Sequence, residues 1–168
     1  VPDEYKTKEM YDAVVAKNPY ALRYVPDKYK TQEMCEVAVA QSPGVLRDVP
    51  DNYKTKVMCL DAVRRDSFVL IYVPACLMTT EICESAVAQR PEVLRDVPDK
   101  YKTQAMCLDA VVRNSFVLRD VPARLITTEM CEEAVAQRPE VLKYVPARLI
   151  TTEMCESVSY THLTLPTS

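Results

Sequence analysis

The chain has 168 residues, 48% of them apolar and 27% charged, which is enough core-forming material for an ordinary globular domain. Its 24 acids against 21 bases leave a net charge of −3, so no polycation field exists to attract nucleic acid or anionic lipid. The longest nearly apolar run, Phe68 to Met78, is eleven residues with a proline inside, against the ~20 that span a bilayer, and a membrane is therefore not an expected partner.

Val-Pro recurs at Val1, Val25, Val49, Val73, Val97, Val121 and Val145, always 24 residues apart, which is the signature of a tandem repeat. Six whole repeats result (1–24, 25–48, 49–72, 73–96, 97–120 and 121–144), with a partial seventh at 145–157. We number places within a repeat from its valine. Threonine holds place 7 from Thr7 to Thr151, and every complete repeat has valine at place 15 and leucine at place 22. Because Val1 already falls inside a repeat, with neither an initiator methionine nor a signal pattern ahead of it, the natural N-terminus is expected to lie outside this sequence.

In the repeat from Val73 to Asp96, Thr79 or Thr80 can N-cap a helix whose first turn carries Glu81, well placed for the helix dipole. Ile82, Cys83, Ala86 and Val87 follow an i, i+1, i+4, i+5 pattern that makes one apolar face. The pattern predicts a helix from place 8 to about place 18, stopped by Pro91 because the residue before proline avoids the α region. Pro91 then opens a second, short helix presenting Val93 and Leu94 inward. The Val-Pro-x-x-(Tyr or Leu) segment makes a proline-started turn before the next threonine cap. The expected fold is an all-α, right-handed-type helical repeat solenoid, whose repeats stack because one alone cannot bury enough surface to fold.

A two-repeat rhythm overlies the period. Repeats three and five read Cys-Leu-Asp-Ala-Val with Ser-Phe-Val-Leu, from Cys59 and Cys107, while repeats two, four and six place glutamate after the cysteine and proline before the second helix. These residues resemble an uncharacterised domain-of-unknown-function family of tandem helical repeats with the pattern Cys-x-x-Ala-Val, then Leu and Tyr-Val-Pro-x-x-Leu. The closest copy is Cys131, Ala134, Val135, Leu142, Tyr144, Val145, Pro146 and Leu149. The likeness covers residues 1–157 and, being carried by packing residues, implies a fold and no activity. The pattern breaks mid-helix at Val158, and residues 158–168 resemble a translated sequencing-adapter tail, expected to be foreign to the array and irregular or loosely docked. A divergent C-terminal cap is the alternative.

Cys35, Cys59, Cys83, Cys107, Cys131 and Cys155 hold place 11 on the apolar face and are expected to be buried and unpaired, which favours a reducing compartment such as the cytoplasm. Cys76 stands apart, and its spacing to Cys83 matches no common zinc knuckle. The one histidine, His162, lies in the tail, and a single glycine, Gly44, permits no phosphate loop. Neither an enzyme, a metal site nor a cofactor is expected.

Arg23, Arg47, Arg95, Arg119 and Lys143 share place 23, interrupted by Ile71, and form a candidate basic stripe for an acidic partner, or else compensate helix dipoles. Glu9, Glu33, Glu81, Glu129 and Glu153 make a matching acidic row at place 9 with which the stripe can pair. Tyr24, Tyr72 and Tyr144 before Val-Pro, with Phe68 and Phe116 opening short helices, are candidate recognition side chains, although Phe68 on Leu60 and Phe116 on Leu108 also read as packing pairs. The leading function is a non-catalytic scaffold for a protein or peptide. A structural or decoy segment of a larger secreted effector or surface protein is second, and an RNA-binding repeat a distant third, since the place-23 row lacks paired readout residues.

Overall fold

The computed structural model describes the backbone of residues 3–163 and the side chains of residues 7–160. The protein is an all-α helical repeat fold of the solenoid type, without a strand among the described residues. Contacts divide the chain into two compact halves, Val1–Ala86 and Val87–Ser168, each a stack of repeats.

Each repeat contributes one longer helix: α1 (Asp3–Lys17), α2 (Gln32–Gln41), α3 (Lys56–Arg65), α4 (Thr80–Gln89), α5 (Gln104–Arg113), α6 (Thr128–Gln137) and α7 (Thr152–Leu163). From α2 onward the place-7 threonine is the N-cap. Its hydroxyl accepts from the place-10 amide at 3.1 to 3.3 Å, from Met34 through Met154, satisfying one of the donors a helix start leaves open. Between the two candidates in repeat four, Thr79 is the cap. The first repeat departs from the pattern. There α1 begins at Asp3, so Thr7 lies inside the helix, although the sequence around it nearly matches that of repeat two; local sequence does not account for the difference.

Helices α2, α3, α5 and α6 end at place 17, one residue short of the expected boundary, because the place-18 residue is extended, with φ between −142° and −150°. That backbone suits a following proline, and Pro19, Pro43, Pro91 and Pro139 open the 3₁₀ helices Pro19–Tyr24, Pro43–Asp48, Pro91–Asp96 and Pro139–Tyr144. Repeats three and five reach the same geometry without proline. Asp66 accepts from the Phe68 amide at 3.1 Å and Asn114 from the Phe116 amide at 3.2 Å, opening Ser67–Tyr72 and Ser115–Asp120. A side-chain acceptor thus substitutes for a ring.

The core repeats as faithfully as the sequence does. Places 10, 11, 14 and 15 of the long helix and 21 and 22 of the 3₁₀ helix are buried throughout repeats two to five, and the place-22 leucines from Leu22 to Leu118 are fully covered. The segment after each Val-Pro forms one of two closely related turns. Asp27–Tyr29, Asp51–Tyr53 and Asp99–Tyr101 are 3₁₀ turns, as is Ala147–Leu149, whereas residues 75–77 and 123–125 are hydrogen-bonded turns.

At the far end, Val135 and Val141 are buried and Leu142 is half-buried. Against the expectation of an irregular tail, α7 runs unbroken through Val158 to Leu163; residues 164–168 and the side chains of His162, Leu163 and Leu165 lie outside the described residues. Helical continuation needs only good local geometry, and Glu156-Ser157-Val158 contains no proline or glycine to stop it.

Ser67 and Ser115 are buried at the place where four repeats have proline, and their hydroxyls have no hydrogen-bond partner. Ser67→Pro should therefore stabilise the chain by about 0.5 to 1.5 kcal/mol, through lost unfolded-state freedom and removal of an unsatisfied hydroxyl. The check is the denaturant midpoint at constant m-value; a lower midpoint would refute the equivalence of the two openings.

Candidate binding surfaces

The place-23 bases lie on the surface beside the place-24 residue. Arg47, Arg95 and Arg119 each point their Nε at the adjacent aspartate, Asp48, Asp96 or Asp120, at 3.4 to 3.7 Å, and Arg23 reaches Asp48 of the next repeat at 3.6 Å. Lys143 sits over the Tyr144 ring at 5.0 Å. The stripe is thus partly neutralised by its own neighbours at place 24, and the expected pairing with the place-9 acids is replaced by these contacts; Glu81 instead meets Arg64 at 3.1 Å. Such exposed pairs contribute little to stability. Tyr24 is 78% exposed and Tyr72 and Tyr144 are half-buried. Phe68 is 51% exposed, while Phe116 is covered by the Arg138 guanidinium at 5.0 Å.

A second surface runs along the long helices, and its key residue is at place 17, which the sequence reading left unassigned. Arg65 donates to the carbonyls of Val39 and Ala40 at 3.3 and 2.6 Å, and to that of Gln41 at 3.4 Å. Arg113 does the same to Val87, Ala88 and Gln89. Gln41 reaches the Ala16 carbonyl and Gln137 the Val112 carbonyl. Each is a C-cap supplied in trans: the last carbonyls of one helix, which have no partner inside it, accept from the helix of the next repeat.

Between consecutive helices lie grooves. One, of about 510 Å³ between α2 and α3, has the buried Val39 and Met58 as its floor and the exposed Ala40, Val57, Glu36 and Asp61 around it. Another, of about 270 Å³ between α6 and α7, has Val135, Ala136 and Met154 below and Glu129, Glu132, Glu133 and Glu153 around it. Val57 is 78% exposed and Val37, on α2, 42%. Neither groove brings the place-23 bases or the candidate aromatics together with its carboxylates.

A charge cluster around a buried lysine, also missed, joins the two ends of a repeat. Lys30, Lys54 and Lys102 at place 6 are almost fully buried; each pairs with the place-3 aspartate (Asp27, Asp51 or Asp99) at 2.9 to 3.0 Å and donates to the place-24 carbonyl of its own repeat at 2.8 to 3.3 Å. Where place 6 is Met78, Ile126 or Ile150, place 3 is alanine and place 5 leucine. That covariation was the available signal.

No family model, curated protein or solved structure matches the chain.

Cys35, Cys59, Cys83, Cys107 and Cys131 are buried and unpaired; Cys76 and Cys155 are exposed. The expectation of burial fails at Cys155 for a geometric reason. The five buried place-11 thiols each belong to a repeat with another described repeat after it, whereas none follows α7 among the described residues. Burial pushes Cys35 and Cys83 up to about 11 from an ordinary 9.0. Among the described residues no three His, Cys, Asp or Glu side chains converge as a metal site, and no helix is long and apolar enough to cross a membrane.

Arg113→Ala should destabilise the chain by about 1 kcal/mol, whereas Arg113→Gln, which keeps a donor as Gln41 and Gln137 do, should retain most of that; equal losses in the two variants would rule out trans-capping. Thiols raised in the folded state contribute fully below the unfolded value of 9.0 and lose that contribution as pH climbs towards about 11, because the unfolded chain releases its protons first. Denaturant midpoints should fall over that window, less steeply in Cys83→Ala. At neutral pH a bulky thiol reagent should modify Cys76 and Cys155 well before the other five.

Proposed function

We propose that the chain is a non-catalytic scaffold that binds a protein or peptide along its helix grooves. The observation that carries this reading is that each half has a groove between consecutive long helices, with an apolar floor, carboxylates at the rim and no lysine or arginine in the lining. An extended or helical segment with alternating apolar and basic side chains fits that chemistry: anchors enter the grooves while cations meet Glu36, Asp61 or the glutamates of α6 and α7. The likeness to the tandem helical-repeat family supports the reading only through the fold. The place-23 row and its tyrosines are the lesser surface, because Asp48, Asp96 and Asp120 take up much of its charge.

Fluorescence anisotropy tests this with labelled peptides of equal length, one alternating leucine with lysine and one alternating leucine with glutamate. The basic peptide should bind at least tenfold more tightly at low salt, with the preference shrinking as salt rises. Glu132→Lys with Glu133→Lys should remove much of it. Equal affinity for the two peptides, or indifference to the double substitution, would sink the proposal.

A further inference from the structure

The groove between α2 and α3 belongs to two complete repeats of the first half. Its walls are two ten-residue helices, Gln32–Gln41 and Lys56–Arg65, each about 15 Å long. Backbone groups inside such helices are paired within the helix and only the end turns stay open; at the end of α2 the carbonyls of Val39, Ala40 and Gln41 already accept from Arg65. The groove therefore offers no row of free donors and acceptors such as a sheet edge presents, and an occupant has to satisfy its own main chain. The carboxylates stand on opposite walls, Glu36 on α2 and Asp61 on α3, both exposed. Glu36 accepts from the neutral Gln32 amide at 2.8 Å, and Asp61 meets Arg65 only at 3.8 Å, so both keep charge to offer. Over the same groove Val57 is 78% exposed, at a place where other repeats carry glutamate or alanine.

We propose that this groove takes an amphipathic helix of a partner protein, about three turns long, whose apolar stripe is flanked on both sides by lysine or arginine. The proposal rests on the groove-binding function given above and specifies the form of the bound segment. Side chains three and four residues apart share one face of a helix, so apolar anchors reach Val39, Val57 and Met58 together. The positions bordering that stripe then carry cations to Glu36 on one wall and to Asp61 on the other. An extended strand sends successive side chains to opposite faces; with its apolar residues in the groove, its cations face away from both carboxylates. The main chain decides in the same direction. A helix pairs its own amides and carbonyls except at its ends, whereas a strand lying here leaves most of its groups on the groove side without a partner. Length agrees too, since three helical turns run about 16 Å, close to the length of the walls.

The test uses the full chain and two labelled peptides of identical leucine, lysine and alanine content. One spaces its leucines three and four apart with lysines on both sides of the stripe, and the other alternates leucine with lysine. The helical arrangement should bind about tenfold or more tightly at low salt, and circular dichroism of the mixture should show more helix than the sum of its parts. A central proline in that peptide should weaken binding by about tenfold or more. Val57→Lys, at an exposed place that carries charge in other repeats, should weaken it as much. Equal or tighter binding of the alternating peptide, or indifference to the proline, overturns the helical form while leaving the preference for basic over acidic peptides standing. Indifference to Val57→Lys overturns the assignment to this groove. If the helical peptide binds equally well with glutamate in place of every lysine, the groove reading itself fails and this proposal falls with it.

Discussion

A ten-residue helix standing alone in water does not hold, and its last four carbonyls have no partner within it. No described helix of this chain ends on the left-handed glycine that commonly closes one: its single glycine, Gly44, lies inside the Pro43–Asp48 3₁₀ helix without a positive φ. The deficit is met from the next repeat, where arginine or glutamine at place 17 reaches back to the open carbonyls. The close stacking of repeats serves that dependence. A helix longer by a turn would carry its carbonyls past the donor, and a repeat set further away would leave them bare. The place-18 residue stops each helix by local geometry; the trans-cap then covers the carbonyls that this stop leaves open.

The turn that links one repeat to the next is built in two chemistries with one outcome. In repeats two, three and five a buried lysine is held by an aspartate and a backbone carbonyl. In repeats four, six and seven the same places are alanine, leucine and methionine or isoleucine. Removing the exposed aspartate alone leaves an almost fully buried lysine without its counter-ion, whereas replacing the places as a set strands no charge. This explains why the three places change together. It also allows charged and apolar turns to share one stack without a register shift.

The period, the threonine caps, the proline stops and the inward faces were legible because each is a local property of one repeat, stated several times over in the sequence. What was not legible joins repeats to each other. Place 17 is lysine, glutamine or arginine, residues that share only the capacity to donate, and its acceptors are backbone atoms about 25 positions earlier. Nothing local sets Lys30, Lys54 and Lys102 apart as buried, since a lysine is seldom so; their covariation with Asp27, Asp51 and Asp99 is the one mark they carry. The place-23 arginines were legible as a row but not as one already engaged, since nothing in the repeat pattern marks the adjacent Asp48, Asp96 and Asp120 as their counter-ions. Cys155 shares its local sequence with Cys131, and only the described repeat that follows one and not the other separates them.

Stacking makes its demands at a restricted set of places. Places 1, 10, 11, 14, 15, 21 and 22 form the core, and place 17 the cap. Places 9, 12 and 13 of the long helices face the grooves, and there the repeats diverge most in chemistry: glutamate, valine or alanine at place 9; glutamate or leucine at place 12; valine, aspartate, serine or glutamate at place 13 across repeats two to six. A surface with no structural requirement can drift in any direction, so divergence alone marks no partner. Drift under stability constraints alone, however, gives no reason for an apolar side chain to stay exposed over a hollow. Val57 lies open above the α2 and α3 groove, with Val37 exposed on α2, and leaving such groups in water forgoes about 1.5 to 3 kcal/mol for each that could be buried. The residues the stack leaves free are thus the ones from which a binding surface can be varied repeat by repeat without disturbing the trans-caps beneath it.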